Sequence, residues 1–294
     1  MTGPQAATRR SALVLLALLA LVWGTNWPLF PLVMREVSVW SFRSVSMTGA
    51  GLLLLAVARL RGQSLAVARR HWPALAGGAL IYLALWNVAS AASAVLIPSG
   101  QAAVLGFTMP VWAALIGWAA FGERLGVRQW LAVGLAACGI ALLAWRSWAA
   151  YVQAPLGLVL GLVSAIGWAL GTLIIKRAGI AAPATVLTGW QLLIGSVPVS
   201  LGAWVFGDPG SPWPSLTTML LMLYITVVPM GIGNVAWFSV VGLLPAHVAG
   251  LSAIAVPMVA MFTGALVHQE PLGVVQLSAM GCCAGALALT VLRR

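Results

Sequence analysis

Two asparagines carry the first chemical signal in this chain. Asn87 and Asn234 each stand in a long apolar run, and each heads an Asn-Val-Ala tripeptide. An uncharged amide in such a run can orient a polar ligand, or it can bond one helix to another. Both readings stay open, as they do for Gln101 and Gln191. Aromatic residues gather around these amides. Tyr82 and Trp86 are four apart and share one helix face, with Asn87 adjacent. Trp23 pairs with Asn26 at a spacing of three, Trp168 with Thr172 at four, and Asn234 with Trp237 at three. A mostly apolar pocket with a few polar groups is the usual form of a small-molecule site. Ordinary packing is the alternative for each residue.

Arg43 is a cation within an apolar run. An arginine at the bilayer centre costs about 2.5–3.5 kcal/mol on insertion scales. It therefore snorkels to the near end of its helix or meets a substrate carboxylate. Pro110 and Pro257 each remove a backbone hydrogen bond inside an apolar helix and tend to kink it. They are hinge candidates, with packing-only kinks as the alternative.

Other chemistry has little to stand on. There is no Gly-x-x-x-x-Gly-Lys-Ser/Thr, and Lys176 is the single lysine, so no ATP site is expected. The four acids, Glu36, Glu123, Asp208 and Glu270, fall near helix ends or in loops. His71, His247 and His268 are scattered, and Cys138, Cys282 and Cys283 lack metal-ligand spacing. No enzyme activity, cofactor or metal is expected.

The elements that must position these residues are membrane helices. Hydrophobic residues make up 62% of the 294 and charged residues 6%, with mean hydropathy +1.04. A soluble domain carries about 25% charged residues, so this chain cannot clothe a water-facing surface. Apolar segments of spanning length recur almost end to end. Arg9-Arg10 ahead of an apolar run has the look of an export signal, but the run continues to Phe30 without a clear small-residue cleavage site. A retained first span is expected. Ten helices are placed at 11–30, 40–58, 72–92, 94–121, 129–145, 155–175, 183–206, 215–240, 244–267 and 271–292.

The net charge of +11 does not point to nucleic acid, because the basic residues sit in short groups between apolar segments. Alternating the loops from a cytoplasmic N-terminus puts twelve basic residues inside and two, Arg35 and Arg146, outside. That bias predicts both termini in the cytoplasm.

The chain is also duplicated. At an offset of 147, residues 87–143 match 234–290 at 19 of 57 positions without a gap. Asn87 falls on Asn234, Pro98 on Pro245, Pro110 on Pro257, Glu123 on Glu270 and Gln129 on Gln276. Shared Ala or Leu would mean little here; shared Asn, Pro, Glu and Gln mean a repeat. The expected plan is one membrane domain, 1–294, of two five-helix repeats, 11–146 and 155–292. Five is odd, so the second repeat inserts upside down. Arg124 and Arg128 of the first copy are replaced by Pro271 and Val275 in the second, as the charge rule demands of an outward segment. Inverted repeats place a substrate site between the halves near the midplane.

Trp23-Gly24-Thr25-Asn26, Phe42-Arg43 and the apolar-Pro-apolar stretch ending in Gly122-Glu123-Arg124, repeated through Pro257 and Glu270, carry a family resemblance. Over nearly its whole length the chain resembles the EamA-type drug/metabolite transporter superfamily, and within it the YddG group of amino-acid exporters. That resemblance implies a ten-helix basket around a central cavity and export of neutral amino acids, aromatic ones included, or related metabolites. Gln269-Glu270 departs from the family's Gly-Glu pair. The combined expectation is a monomeric secondary transporter of the bacterial inner membrane, facilitated or weakly coupled, with a proton-coupled drug/metabolite antiporter as the alternative. Tyr82, Trp86, Asn87, Trp168 and Asn234 are the leading substrate contacts, followed by Trp23, Gln101, Gln191 and Trp237. The expected partners are a small-molecule substrate and the lipid bilayer.

Overall fold

The computed structural model describes residues 4–97, 99–106, 108–146, 148–207, 213–243, 255–268 and 273–291. Their regular structure is entirely helical. Lipid offers no hydrogen-bond partner to a backbone, so a spanning segment must satisfy its own amides and carbonyls. Among the described residues, eight stretches are long and apolar enough to cross a membrane: Val14–Val33, Val39–Leu60, Arg69–Leu96, Val104–Phe121, Val127–Trp145, Pro155–Arg177, Ala184–Phe206 and Leu216–Leu243.

Several spans are subdivided where an unbroken helix was expected. The first consists of α1 (Pro4–Gly24), a single 3-10 turn (Trp27–Leu29) and α2 (Phe30–Val33). The break falls at Thr25 and Asn26, ahead of Pro28, and Thr25 Oγ1 turns back to donate to Leu21 O at 2.7 Å. α3 (Val39–Leu60) follows, capped by Ser38, whose side chain accepts from Ser41 N. The third span joins α4 (Trp72–Ala79), a π-helical stretch (Leu80–Leu85) and α5 (Trp86–Leu96). Helix thus runs past the turn expected near 92–94. The fourth is split into α6 (Ser99–Gly106) and α7 (Met109–Phe121).

α8 (Val127–Arg146) completes the first half, and α9 (Trp148–Gln153) is a short helix where a plain linker was expected. α10 (Pro155–Arg177) and α11 (Ala184–Phe206) open the second half. α12 (Leu216–Ile225), a second π-helical stretch (Thr226–Gly233) and α13 (Asn234–Leu243) form one span. α14 (Ala255–His268) and α15 (Val274–Val291) end the described chain. Asp208, Pro98, Pro245, His247, Gln269, Glu270 and Pro271 lie outside the described residues.

Pro110 is the second residue of α7, not an interior residue of a long helix. At that position the missing N–H would have had no helical partner, so the proline starts a helix at little cost. Pro257 lies in α14, and the residues before Ala255 are outside the described ones.

Packing follows the duplication. The most extensive helix pairs are α3 with α11 and α8 with α15, and each joins elements at equivalent places in the two copies. α10 packs on α5, α6, α7 and the first π stretch, while α1 packs on α13, α14 and the second π stretch. Each half's opening helix thus rests on the later helices of the other half. Small residues permit the close approaches. A Cβ on Gly51 would come within 2.8 Å of Leu193, and one on Gly189 within 2.7 Å of Leu55. Such approaches allow membrane helices to gain packing contacts without help from a hydrophobic effect.

Candidate functional site

The two π stretches occupy nearly the same place in each copy: the first ends at Leu85, two residues before Asn87, and the second at Gly233, directly before Asn234. A π turn widens the helix by one residue and loosens its hydrogen-bond ladder. The asparagines compensate. Asn87 Nδ2 donates to Leu83 O at 2.8 Å, and Asn234 Nδ2 donates to Met230 O at 2.8 Å. A carbonyl only accepts, so the nitrogen of each amide is fixed there and the oxygen points elsewhere. The two oxygens differ in fate. Asn234 Oδ1 accepts from the Tyr82 hydroxyl at 2.8 Å, a buried bond between the halves. Asn87 Oδ1 has no protein partner among the described residues, and Asn87 lines a cavity.

That cavity has a volume of about 60 Å³ and is partly open to the outside. Its wall includes Trp23, Asn26, Trp27, Tyr82 and Trp86 from the first half, with Trp168, Met230 and Asn234 from the second. Trp23 meets Trp168 at 6.5 Å between centroids and Trp27 meets Trp86 at 6.4 Å, both edge to face, which suits their quadrupoles. Tyr82 meets Trp168 at 5.7 Å in a tilted pair. Trp23 Nε1 donates to Pro229 O at 3.0 Å, so an indole from the first span serves a carbonyl of the second π stretch.

Arg43 also lines this cavity. It is 2% exposed. The side chain turns inward instead of snorkelling outward. Its guanidinium lies over the Phe30 ring at 4.3 Å and the Phe42 ring at 4.7 Å, two cation–π contacts that hold it in place. No carboxylate among the described residues pairs with it. The described acids are engaged elsewhere. Glu36 accepts from Ser215 N at 2.7 Å and Ser215 Oγ at 2.9 Å. Glu123 lies 3.5 Å from Arg177 Nη2.

Six of the nine expected contacts meet at the cavity: Trp23, Tyr82, Trp86, Asn87, Trp168 and Asn234. Trp237 lies behind that wall, fully buried, with its ring 4.3 Å from Trp168 and 5.9 Å from Trp23. Gln191 is buried in α11 and donates to Leu187 O at 3.3 Å. Gln101 sits on α6, where its backbone carbonyl accepts from the Tyr151 hydroxyl. Neither glutamine lines the cavity.

The sequence profile of the EamA-like transporter family matches residues 10–145 and again 155–292. This chain belongs to the EamA-like transporter family. As an EamA-like protein it is a multi-pass membrane transporter. It is 28% identical over 266 residues to the uncharacterized transporter YvbV of Bacillus subtilis, covering 90% of this chain and 85% of that one. It is 26% identical over 276 residues to the uncharacterized inner membrane transporter YedA of Escherichia coli K12, covering 93% and 88%. A probable amino-acid metabolite efflux pump of Escherichia coli K12 is 27% identical over 271 residues, covering 88% and 87%. A solved crystal structure has the same fold, with a TM-score of 0.75 at 20% identity over 95% of this chain and 96% of its own.

Some cavity residues of this EamA-like chain escaped sequence reasoning. Trp27, Phe30, Met109, Pro229 and Met230 all line the site. A signal for two of them was present, since Trp23, Trp27 and Phe30 follow the i, i+4, i+7 stripe of one helical face. Pro229 and Met230 belong to a π stretch, which no local pattern announces.

Proposed function

We propose that this chain is a ten-span secondary transporter of the bacterial inner membrane, with the eight long spans joined by α14 and α15. It exports small neutral amino acids, aromatic ones included, or related metabolites, in the manner of the YddG group. The observation that carries this reading is the aromatic cavity between the halves, with a π-linked asparagine from each copy on its wall. A largely apolar, partly open chamber with a few fixed amides suits a compact organic molecule. The relative named as a probable amino-acid metabolite efflux pump supports the substrate class.

The inverted arrangement has its own support in the reciprocal packing of α1 and α10 on the opposite halves. Cytoplasmic termini are supported by the basic-residue bias. The alternation of the loops is supported by two contacts, Glu36 with Ser215 and Glu123 with Arg177, each of which joins loops assigned to one face. Pro110 stands at a helix start and Pro257 at the matched position of the second copy, and the fourth and ninth spans bend at these two prolines in this reading.

Transport is facilitated or weakly coupled in this reading, because Glu36 and Glu123 sit at helix ends in those contacts and not on the cavity. Proteoliposomes loaded with labelled neutral amino acids test the proposal. Saturable flux above that of empty vesicles is expected, and its absence for every neutral amino acid removes the substrate assignment. Uphill movement driven by a pH gradient and abolished by a protonophore would instead favour the proton-coupled antiporter.

A further inference from the structure

We propose that Arg43 binds the carboxylate of the transported molecule while Asn87 Oδ1 accepts from its ammonium group, so that the cavity selects zwitterions over amines. This deepens the amino-acid reading above and rests on it. The starting point is an uncompensated charge. Arg43 is 2% exposed, sits within a membrane span and has no hydrogen-bonded or ionic partner among the described residues. An isolated cation in such a place is costly, and structures retain one where it meets a counter-ion or a polar cavity. Two phenylalanine rings fix the guanidinium plane without neutralising it.

Arg43 Nε is buried and unsatisfied. The two terminal nitrogens, by contrast, are not closed off, and the residue lines the cavity. A guanidinium of this kind presents a flat donor fork that matches the two oxygens of a carboxylate. Chloride or water would meet the charge but leave the fork geometry unused.

The second anchor is the oxygen that duplication left open. Asn234 Oδ1 is occupied by the Tyr82 hydroxyl, whereas position 229, equivalent to Tyr82 in the other copy, is a proline with no hydroxyl to offer Asn87. Asn87 Oδ1 is therefore a fixed acceptor on a residue that lines the same cavity as Arg43. One strong donor fork, one acceptor and an aromatic chamber together describe a free amino acid with an apolar or aromatic side chain.

Three probes separate these contributions: L-tryptophan, tryptamine, which lacks the carboxylate, and indole-3-propionate, which lacks the amine. Binding is measured by titration calorimetry on the purified full chain in nanodiscs. Wild type should bind tryptophan more tightly than indole-3-propionate, and tryptamine least. Arg43→Gln should weaken tryptophan and indole-3-propionate by about 30-fold or more, the scale of losing one partner of a desolvated charge pair. The same change should leave tryptamine unchanged or tighter, because a repelling cation is gone. Arg43→Lys should restore part of the loss. Asn87→Ala should weaken tryptophan and spare indole-3-propionate.

Equal binding of tryptamine and tryptophan by wild type overturns the Arg43 assignment and leaves the amino-acid reading standing. An equal loss of all three ligands in Arg43→Gln does the same. Tight indole-3-propionate binding without tryptophan binding removes the amino-acid reading and keeps the carboxylate site. Equal losses of tryptophan and indole-3-propionate in Asn87→Ala remove the Asn87 assignment. If none of the three binds, both ideas fall. Should Arg43→Gln fail to fold, the wild-type order and Arg43→Lys still decide.

Discussion

The Tyr82 hydroxyl donates to Asn234 Oδ1 at 2.8 Å and so joins the two copies of the repeat through their third spans. Both residues are buried. Tyr82→Phe keeps the ring against Trp168 and Phe238 but leaves an amide oxygen without its donor. A buried acceptor that loses its partner costs about 1–3 kcal/mol. Thermal unfolding of the detergent-solubilised variant should show a loss of that order. An unchanged midpoint would mean that Asn234 finds another donor.

Gly171 of α10 lies directly against the Tyr82 backbone. A Cβ there would stand 2.5 Å from Tyr82 Cβ and 2.7 Å from Tyr82 N. Gly171→Ala must therefore push α10 away from the first π stretch, with an overpacking cost of about 1–3 kcal/mol. Gly242→Ala is the control, since no described residue lies within 4 Å of its added carbon. Gly171→Ala should lower folded yield and transport together, and Gly242→Ala should change neither.

Trp86 and Trp237 should separate binding from stability. Trp86 is part-buried on the cavity wall, whereas Trp237 is fully buried behind Trp168. Trp86→Ala should raise the substrate KM about tenfold, the size of a lost aromatic contact of about 1.4 kcal/mol, and alter folding little. Trp237→Ala should cost about 3–5 kcal/mol of stability through the cavity it leaves. Proteoliposome kinetics and thermal unfolding, run on both variants, check the split.

Glu36 gives a pH signature. The Ser215 backbone N–H, then the Ser215 hydroxyl, hold its carboxyl below the ordinary carboxylate range. The folded chain therefore favours the ionised form more than the unfolded chain does. Stability from this contact is present above the unfolded carboxylate pKa of about 4.3 and is lost as pH falls through the lower folded value. Wild type and Glu36→Gln should differ in unfolding temperature at neutral pH and converge in acid. Parallel curves down to acid pH would show that the contact contributes nothing.

Much of this molecule could be read in advance, and the failures have physical causes. Long apolar runs and shared Asn, Pro and Glu at one offset located the spans and the paired asparagines, because lipid leaves a helix few alternatives. The widened turns before Asn87 and Asn234 were invisible, since one extra residue per turn barely alters a hydrophobic pattern. The inward turn of Arg43 depends on Phe30, which comes from a different element. Gln191 lies off the cavity, and the weakly patterned sequence of α11 gives no sign of which face looks toward a partner helix and which toward a chamber.

Residue 229 has diverged from residue 82, and the difference reaches beyond one hydrogen bond. Two equal copies around a chamber would offer any guest two poses of identical energy, head to one side or head to the other. A proline in one copy and a tyrosine in the other remove that degeneracy. In the proposed binding mode this difference acts together with Arg43, and a molecule with two unlike ends has one preferred heading.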